Sequence, residues 1–151
     1  MIVRAATADD AEAILEMGAR MHEEGAYAFL PFERDKVRAL IAEYLGNPQE
    51  CCLLVADEDG VLVGMVAGFL SDYFFCNETI ASDNLLYVDR EHRGRPAAAR
   101  LLRSFRKWAV ARGARELCLG ISTSVETERT GEFYRRMGLT RIGAIYKQRL
   151  R

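Results

Sequence analysis

The sequence predicts an α/β (α+β) domain, in which a mixed, mostly antiparallel central sheet carries helices on both faces. Three observations predict it. Apolar runs of strand length and amphipathic stretches follow one another in the order strand, helix, helix, three strands, helix, strand, helix, strand. That order is neither the strict alternation of a parallel sheet nor a continuous meander, so parallel and antiparallel pairs must share one sheet. A length of 151 residues, 50% hydrophobic and 28% charged, suits one continuous core, so residues 1–151 read as a single domain.

The elements follow in order. Residues 2–5 form a short apolar strand, and Thr7 is placed to cap a helix whose first turn holds Asp9, Asp10 and Glu12, favourable at the positive end of a helix dipole. That helix runs to about Glu24. Val37, Leu40, Ile41, Tyr44 and Leu45 form the apolar stripe of a second helix, which stops before Asn47-Pro48. The loop between them is rich in aromatic residues, with Tyr27, Phe29 and Phe32, and is expected either to pack as core or to line a substrate wall.

Residues 51–56 and 61–69 are apolar runs joined by Asp57-Glu58-Asp59-Gly60, which predicts an antiparallel hairpin, and residues 79–88 continue it. Residues 95–112 carry the strongest helical pattern, with Ala98, Leu101, Leu102, Phe105, Trp108 and Ala109 on one face, arginines on the other and Gly113 as the stop. A strand over 116–122, a helix over 127–137 ended by Gly138 and a last strand over 139–150 complete the chain.

Charge is unevenly distributed. Residues 1–88 hold 16 acids and 5 bases, 89–115 hold 2 acids and 9 bases, and 116–151 hold 4 acids and 7 bases. A basic stretch beside an acidic half is suited to holding a polyanion in one place and drawing a cation to another. The total of −1 argues against a globally basic nucleic-acid binder, so nucleic acid is not the favoured partner. Cys51, Cys52, Cys76 and Cys118 follow no paired ligand spacing, so no metal site is expected, and they read as small hydrophobes of a reduced, cytoplasmic protein. The N-terminus has no secretory pattern, and the longest apolar run, residues 61–70, is too short to span a bilayer, which needs roughly 20 residues.

Chemistry concentrates in residues 85–102, an apolar strand, a polar turn, a small-residue step and a helix. Unpaired N–H groups and the positive dipole end make a helix N-terminus an anion site. Gly94, Ala97 and Ala98 leave its backbone approachable, and Arg93 and Arg95 add charge. A phosphate-bearing ligand is the expectation.

Here the sequence resembles the GNAT superfamily of acyl-CoA-dependent N-acyltransferases, whose pyrophosphate loop reads Arg/Gln-x-x-Gly-x-Gly/Ala after a strand ending in valine. Arg93, Pro96 and Ala98 occupy the patterned positions, and Pro96, which lacks an N–H, replaces the usual glycine. Downstream, Phe133-Tyr134-Arg135-Arg136-Met137-Gly138-Leu139 resembles the family's Phe-Tyr-x-x-x-Gly-Phe signature, and the resemblance extends over the whole chain.

The resemblance implies a GNAT-like fold and acetyl transfer from acetyl-CoA to a primary amine in a ternary complex, with no metal. It implies that residues 93–98 (Arg93, Gly94, Arg95, Pro96, Ala97, Ala98) hold the pyrophosphate. Leu86, Tyr87 and Val88 would pair with pantetheine and polarise the thioester, and Thr127 stands where many members have an asparagine that contacts the same arm. Tyr134 would protonate the leaving thiolate, a task suited to a phenol that stays neutral at pH 7. The amine must lose a proton; Asp83 is the first candidate to take it, with Glu78, Glu24 and Glu23 as alternatives. The last strand, with Ile142, Ala144 and Tyr146 alternating, permits a homodimer. Two other readings stay open: a regulatory module of the same fold that binds acyl-CoA without turnover, motivated by Pro96 and Thr127, and a nucleic-acid binder using Arg100, Arg103, Arg106, Lys107 and Arg112.

Overall fold

A computed structural model describes residues 1–121 and 123–151. Its elements are β1 (Ile2–Ala5), a 3-10 turn (Ala8–Asp10), α1 (Ala11–Glu24), α2 (Arg34–Gly46), β2 (Cys51–Glu58), β3 (Val61–Asp72), β4 (Thr79–Val88), a second 3-10 turn (Arg90–His92), α3 (Ala97–Ala111), β5 (Glu116–Cys118) and α4 (Thr127–Arg136). The sheet order is β1-β2-β3-β4-β5. The first four strands pair antiparallel, and β4 and β5 pair parallel, so the sheet is mixed and mostly antiparallel as the element order predicts.

Local chemistry explains the turns. Between β2 and β3, Asp59 and Gly60 both take positive φ, 55° and 88°, the conformation a tight hairpin demands. The Asp57 carboxylate accepts the Gly60 N–H at 2.8 Å and fixes the turn. At β1, Arg4 donates to Asp10 at 2.7 and 2.9 Å and to Asp57 at 2.9 Å, and Asp10 also accepts the Thr7 N–H at 2.7 Å. The Arg4 guanidinium, with help from Thr7, holds the Asp10 carboxyl well below the usual carboxylate range.

Two apolar layers sandwich the sheet. On one face Leu101, Phe105 and Ala109 of α3 meet Cys52, Ala56, Val63, Val66, Ala81 and Val88. On the other, Ile14, Leu15 and Met17 of α1 and Ile41 of α2 meet Val55, Leu62, Met65 and Tyr87. The two clusters confirm helices on both faces. Gly68 admits Phe105 to the sheet: a Cβ there would come within 2.3 Å of the ring and 2.8 Å of the Ser82 carbonyl.

A β-bulge sets which residues β4 presents to each side. Ala67 pairs with Leu85 but Gly68 with Asp83, leaving Asn84 as the extra residue. The insertion flips the alternation. Ala81 before the bulge faces α3, and after it Leu86 and Val88 face α3 while Leu85 and Tyr87 face α1 and α2.

Two expectations change. The strand expected over 116–122 is confined to Glu116–Cys118, with Ser122 outside the described residues. The last strand expected over 139–150 does not form: the chain leaves α4 through Gly138, at φ 89°, and residues 140–151 are exposed and belong to no strand. Alternation supplies propensity but not a partner. Here the segment spends its cations on the α1–α2 loop, with Lys147 over Tyr27 and Arg149 over Phe29.

Candidate active site

The site begins as a gap in the sheet. β5 pairs with β4 only through Ile80, Ala81 and Ser82, so residues 83–88 of β4 have no partner strand on that edge among the described residues. A strand edge left unpaired presents N–H and C=O groups to whatever enters. Leu86, Tyr87 and Val88 lie on this stretch, with β3 behind them.

One end of the gap is the start of α3. Pro96 precedes the helix at φ −67°, ψ −5°, a conformation its ring prefers, and no side chain caps the turn that follows. The N–H groups of Ala97, Ala98 and Ala99 therefore have no partner four residues back. Gly94 turns the chain at φ 81°, and the Arg129 guanidinium from α4 lies 3.4 Å from where its Cβ would stand. Pro96 donates no N–H to this end, but its ring does not disturb the helix start.

Arg93 is placed differently from Arg95. Its guanidinium donates to the Val88 carbonyl at 3.0 Å and to Glu24 at 2.6 Å, lies 3.8 Å from Glu126 and stacks over the Tyr87 ring at 5.5 Å. Tyr87 donates to the same Glu24 carboxylate at 2.8 Å. Arg93 thus ties β4, α1 and the approach to α4 together, while Arg95 and Arg129 are exposed, 3.9 Å from Glu58 and 3.0 Å from Glu126 respectively. Burial and the Glu24 hydrogen bond raise the Tyr87 hydroxyl above the ordinary phenol range.

The other end is Gly120, just past β5. Asp83 accepts its N–H at 2.9 Å, and Tyr134 donates its hydroxyl to its carbonyl at 3.4 Å, a long contact. Burial pushes the Asp83 carboxyl up to about 6, against the Gly120 hydrogen bond that lowers it. Burial, with the Asp83 charge nearby, lifts Tyr134 further above its ordinary value, so its proton is retained at neutral pH. Beside them the Asn84 amide, set apart by the bulge, donates to the hydroxyl of Tyr44.

The structure therefore brings Asp83, Tyr134 and the open β4 edge together. Thr127 opens α4 and is exposed. Of the alternative bases, Glu78 pairs with Arg115 beyond the other end of β4, Glu24 is engaged by Arg93 and Tyr87, and Glu23 is exposed at the end of α1. Arg100 donates to the Met1 carbonyl and Arg112 to Pro48 and Gln49, so both are turned to the scaffold. No group of His, Cys, Asp and Glu able to hold a metal occurs among the described residues, and no described helix is long and apolar enough to cross a membrane.

Gly120 and Arg129 escape a reading of the sequence. Gly120 lies in no motif, and Arg129 reaches Gly94 only through the fold; positive charge beside the signature tyrosine is the one signal the sequence offers.

The fold recurs in solved structures. A transcriptional regulator from Bacillus halodurans C-125 superposes with a TM-score of 0.79 at 17% identity, covering 99% of both chains. An aminoglycoside N-acetyltransferase in complex with CoA gives 0.79 at 17% identity over 99% of this chain and 94% of its own. Glucosamine-6-phosphate N-acetyltransferase from Arabidopsis thaliana gives 0.78 at 14% identity over 99% and 98%. A comparison with curated proteins finds no match. The acetyltransferase (GNAT) family profile matches residues 16–139, so the chain belongs to the GNAT family of acetyltransferases.

Proposed function

We propose that the protein is an acetyl-CoA-dependent N-acetyltransferase that passes acetyl directly to a primary amine of a small molecule or protein in a ternary complex. The observation that carries this reading is the unpaired β4 edge over residues 83–88, with an uncapped helix N-terminus at one end and Tyr134 with Asp83 at the other. The α3 turn, with Gly94, Arg95, Pro96, Ala97 and Ala98 and with Arg129 beside it, receives the pyrophosphate. Arg93 shapes that turn through Val88 and Glu24, and Thr127 flanks the pantetheine arm.

Within the gap, the backbone of Leu86, Tyr87 and Val88 aligns the thioester, and a β4 N–H supports the charge that develops on its carbonyl oxygen. The amine nitrogen bonds to the carbonyl carbon, the carbon–sulfur bond breaks, and the sulfur takes the Tyr134 proton. Asp83, with a carboxyl pushed up to about 6, is ionised at pH 7 and takes the proton that the amine loses. The acidic N-terminal half favours a cationic acceptor.

A homodimer accompanies this reading, because Ile142, Tyr146 and Leu150 of the C-terminal segment are exposed large apolar side chains that a second copy can cover. The four free cysteines accord with a reducing, cytoplasmic setting. Melting with acetyl-CoA tests the reading: ligand at 100 times its dissociation constant adds about 2.7 kcal/mol, several degrees for a domain of this size, and ATP adds nothing comparable. Absence of a shift at millimolar acetyl-CoA would overturn it.

A further inference from the structure

The C-terminal segment seats two cations on two aromatic rings of the α1–α2 loop. The Lys147 ammonium lies 4.2 Å from the Tyr27 ring centroid, and the Arg149 guanidinium carbon lies 3.6 Å from that of Phe29. The contacts are in register, since one residue separates the two rings and one residue separates the two cations. Tyr146 and Leu150, which flank the cations, remain exposed. The side of the segment that docks is therefore its cationic one.

This loop belongs to the rim of the site. The Ala26 N–H donates to the Thr123 carbonyl at 2.8 Å, and a Cβ on Gly25 would stand 3.6 Å from the Thr123 side chain. Three residues before Thr123 is Gly120, where Asp83 and Tyr134 converge. Glu23, exposed at the end of α1 immediately before the loop, adds negative potential.

We propose that Tyr27 and Phe29 form a cation-recognition face at the acceptor entrance, that Lys147 and Arg149 occupy it in cis, and that a linear polyamine displaces them as the acceptor. The acceptor role rests on the acetyltransferase reading above; the recognition does not. A cation is attracted to a ring face through the ring quadrupole, and the ring requires of it charge and position rather than hydrogen-bond direction. An alkyl chain with ammonium groups meets that demand, placing a cation on each ring and methylenes between them. A further primary amine of the same molecule remains to enter the gap beside β4. Lys147, Arg149 and Phe29 are exposed and Tyr27 is half-buried. A cation on an exposed ring contributes about 0.5–1 kcal/mol, so a ligand that takes over both rings gains about 5- to 30-fold in apparent affinity when the two cis cations are removed.

The test is calorimetric titration of spermidine into the full chain, into Lys147→Gln/Arg149→Gln and into Tyr27→Leu/Phe29→Leu, each first checked for an unchanged melting temperature. Phe29→Leu alone, at a half-exposed ring, replaces the second double variant if that one does not fold. The proposal expects about 5- to 30-fold tighter binding by the Lys147→Gln/Arg149→Gln chain and a weaker or absent response when the rings are removed. Equal affinity in all chains, no binding to any, or binding undiminished by loss of the rings would overturn it. Because no acetyl-CoA is present, this outcome is independent of the acetyl-CoA melting result: spermidine binding without a cosubstrate shift would remove the acetyltransferase reading and leave the cation face standing.

Discussion

Asp83 and Tyr134 hold the two polar ends of one residue. The Asp83 carboxylate accepts the Gly120 N–H at 2.9 Å, and the Tyr134 hydroxyl donates to the Gly120 carbonyl at 3.4 Å. A group suited to taking a proton and one suited to giving a proton are thereby fixed together where β5 has parted from β4.

The pH dependence follows from Asp83. A base with a carboxyl at about 6 gives kcat/KM an ascending limb with its midpoint near pH 6, and Asp83→Asn removes that limb while lowering the rate about 10²- to 10⁴-fold. Stability moves the other way. The folded value lies above the ordinary 3.8, so the carboxyl's contribution is intact below that pH and is lost as pH rises through about 6. Asp83→Asn should therefore be more stable than the parent at pH 8 and lose that advantage near pH 4, as read by denaturant titration at both values.

Gly94 tests the anion turn. Its φ of 81° is costly for any residue with a Cβ, and an added Cβ meets Arg129 at 3.4 Å. Gly94→Ala should lose about 1–2 kcal/mol of stability and weaken acetyl-CoA binding by a larger factor than Gly113→Ala, which takes a comparable φ of 76° with open space around it. Melting with and without acetyl-CoA measures both effects.

Much of the fold and part of the site are legible in the amino-acid sequence. The hairpin turn, the acidic first turn that opens the first helix, the apolar faces of α2 and α3 and the stop at Gly138 each follow from local chemistry, and the small-residue step at residues 94–98 marks the anion turn. The inward engagement of Arg93 is not legible there, because its partners Glu24 and Glu126 are remote in sequence and meet it only through packing. The bulge at Asn84 has no residue signature, yet it decides which way Leu85, Leu86, Tyr87 and Val88 face. The alternation after Gly138 signals a strand, but strands form against an edge, and that information is not local.

Gly68 makes a prediction about packing alone. Its missing Cβ is filled by Phe105, which is fully buried and lies 5.8 Å from the Trp108 ring. Gly68→Ala should destabilise the domain by about 1–3 kcal/mol through overpacking. Adding Phe105→Leu should recover part of that loss, so the two changes combine non-additively in a denaturant double-mutant cycle.

The Arg4–Asp10–Asp57 cluster anchors β1 to the start of α1 and to the β2–β3 turn. Asp10→Asn should cost about 1–3 kcal/mol at pH 7, the range for a hydrogen-bonded charged group that loses its partner. Because the folded Asp10 carboxyl is depressed, its contribution is fully present above the ordinary 3.8, declines as pH falls below that value and is lost once pH falls through the depressed folded value. Parent and variant should converge in stability in acid, as thermal melts at pH 7 and below pH 3 can show.

Proton donation by Tyr134 to the leaving thiolate is the step on which the proposed chemistry turns. The direct measurement is thiol release from acetyl-CoA with spermidine as acceptor, comparing the parent with Tyr134→Phe at pH 7. A fall in kcat of about 10²-fold or more, with KM for acetyl-CoA little changed, is the predicted result. Equal turnover by the two proteins would contradict the assignment of Tyr134, and no thiol release by the parent with spermidine or any other primary amine would contradict the acetyltransferase reading itself.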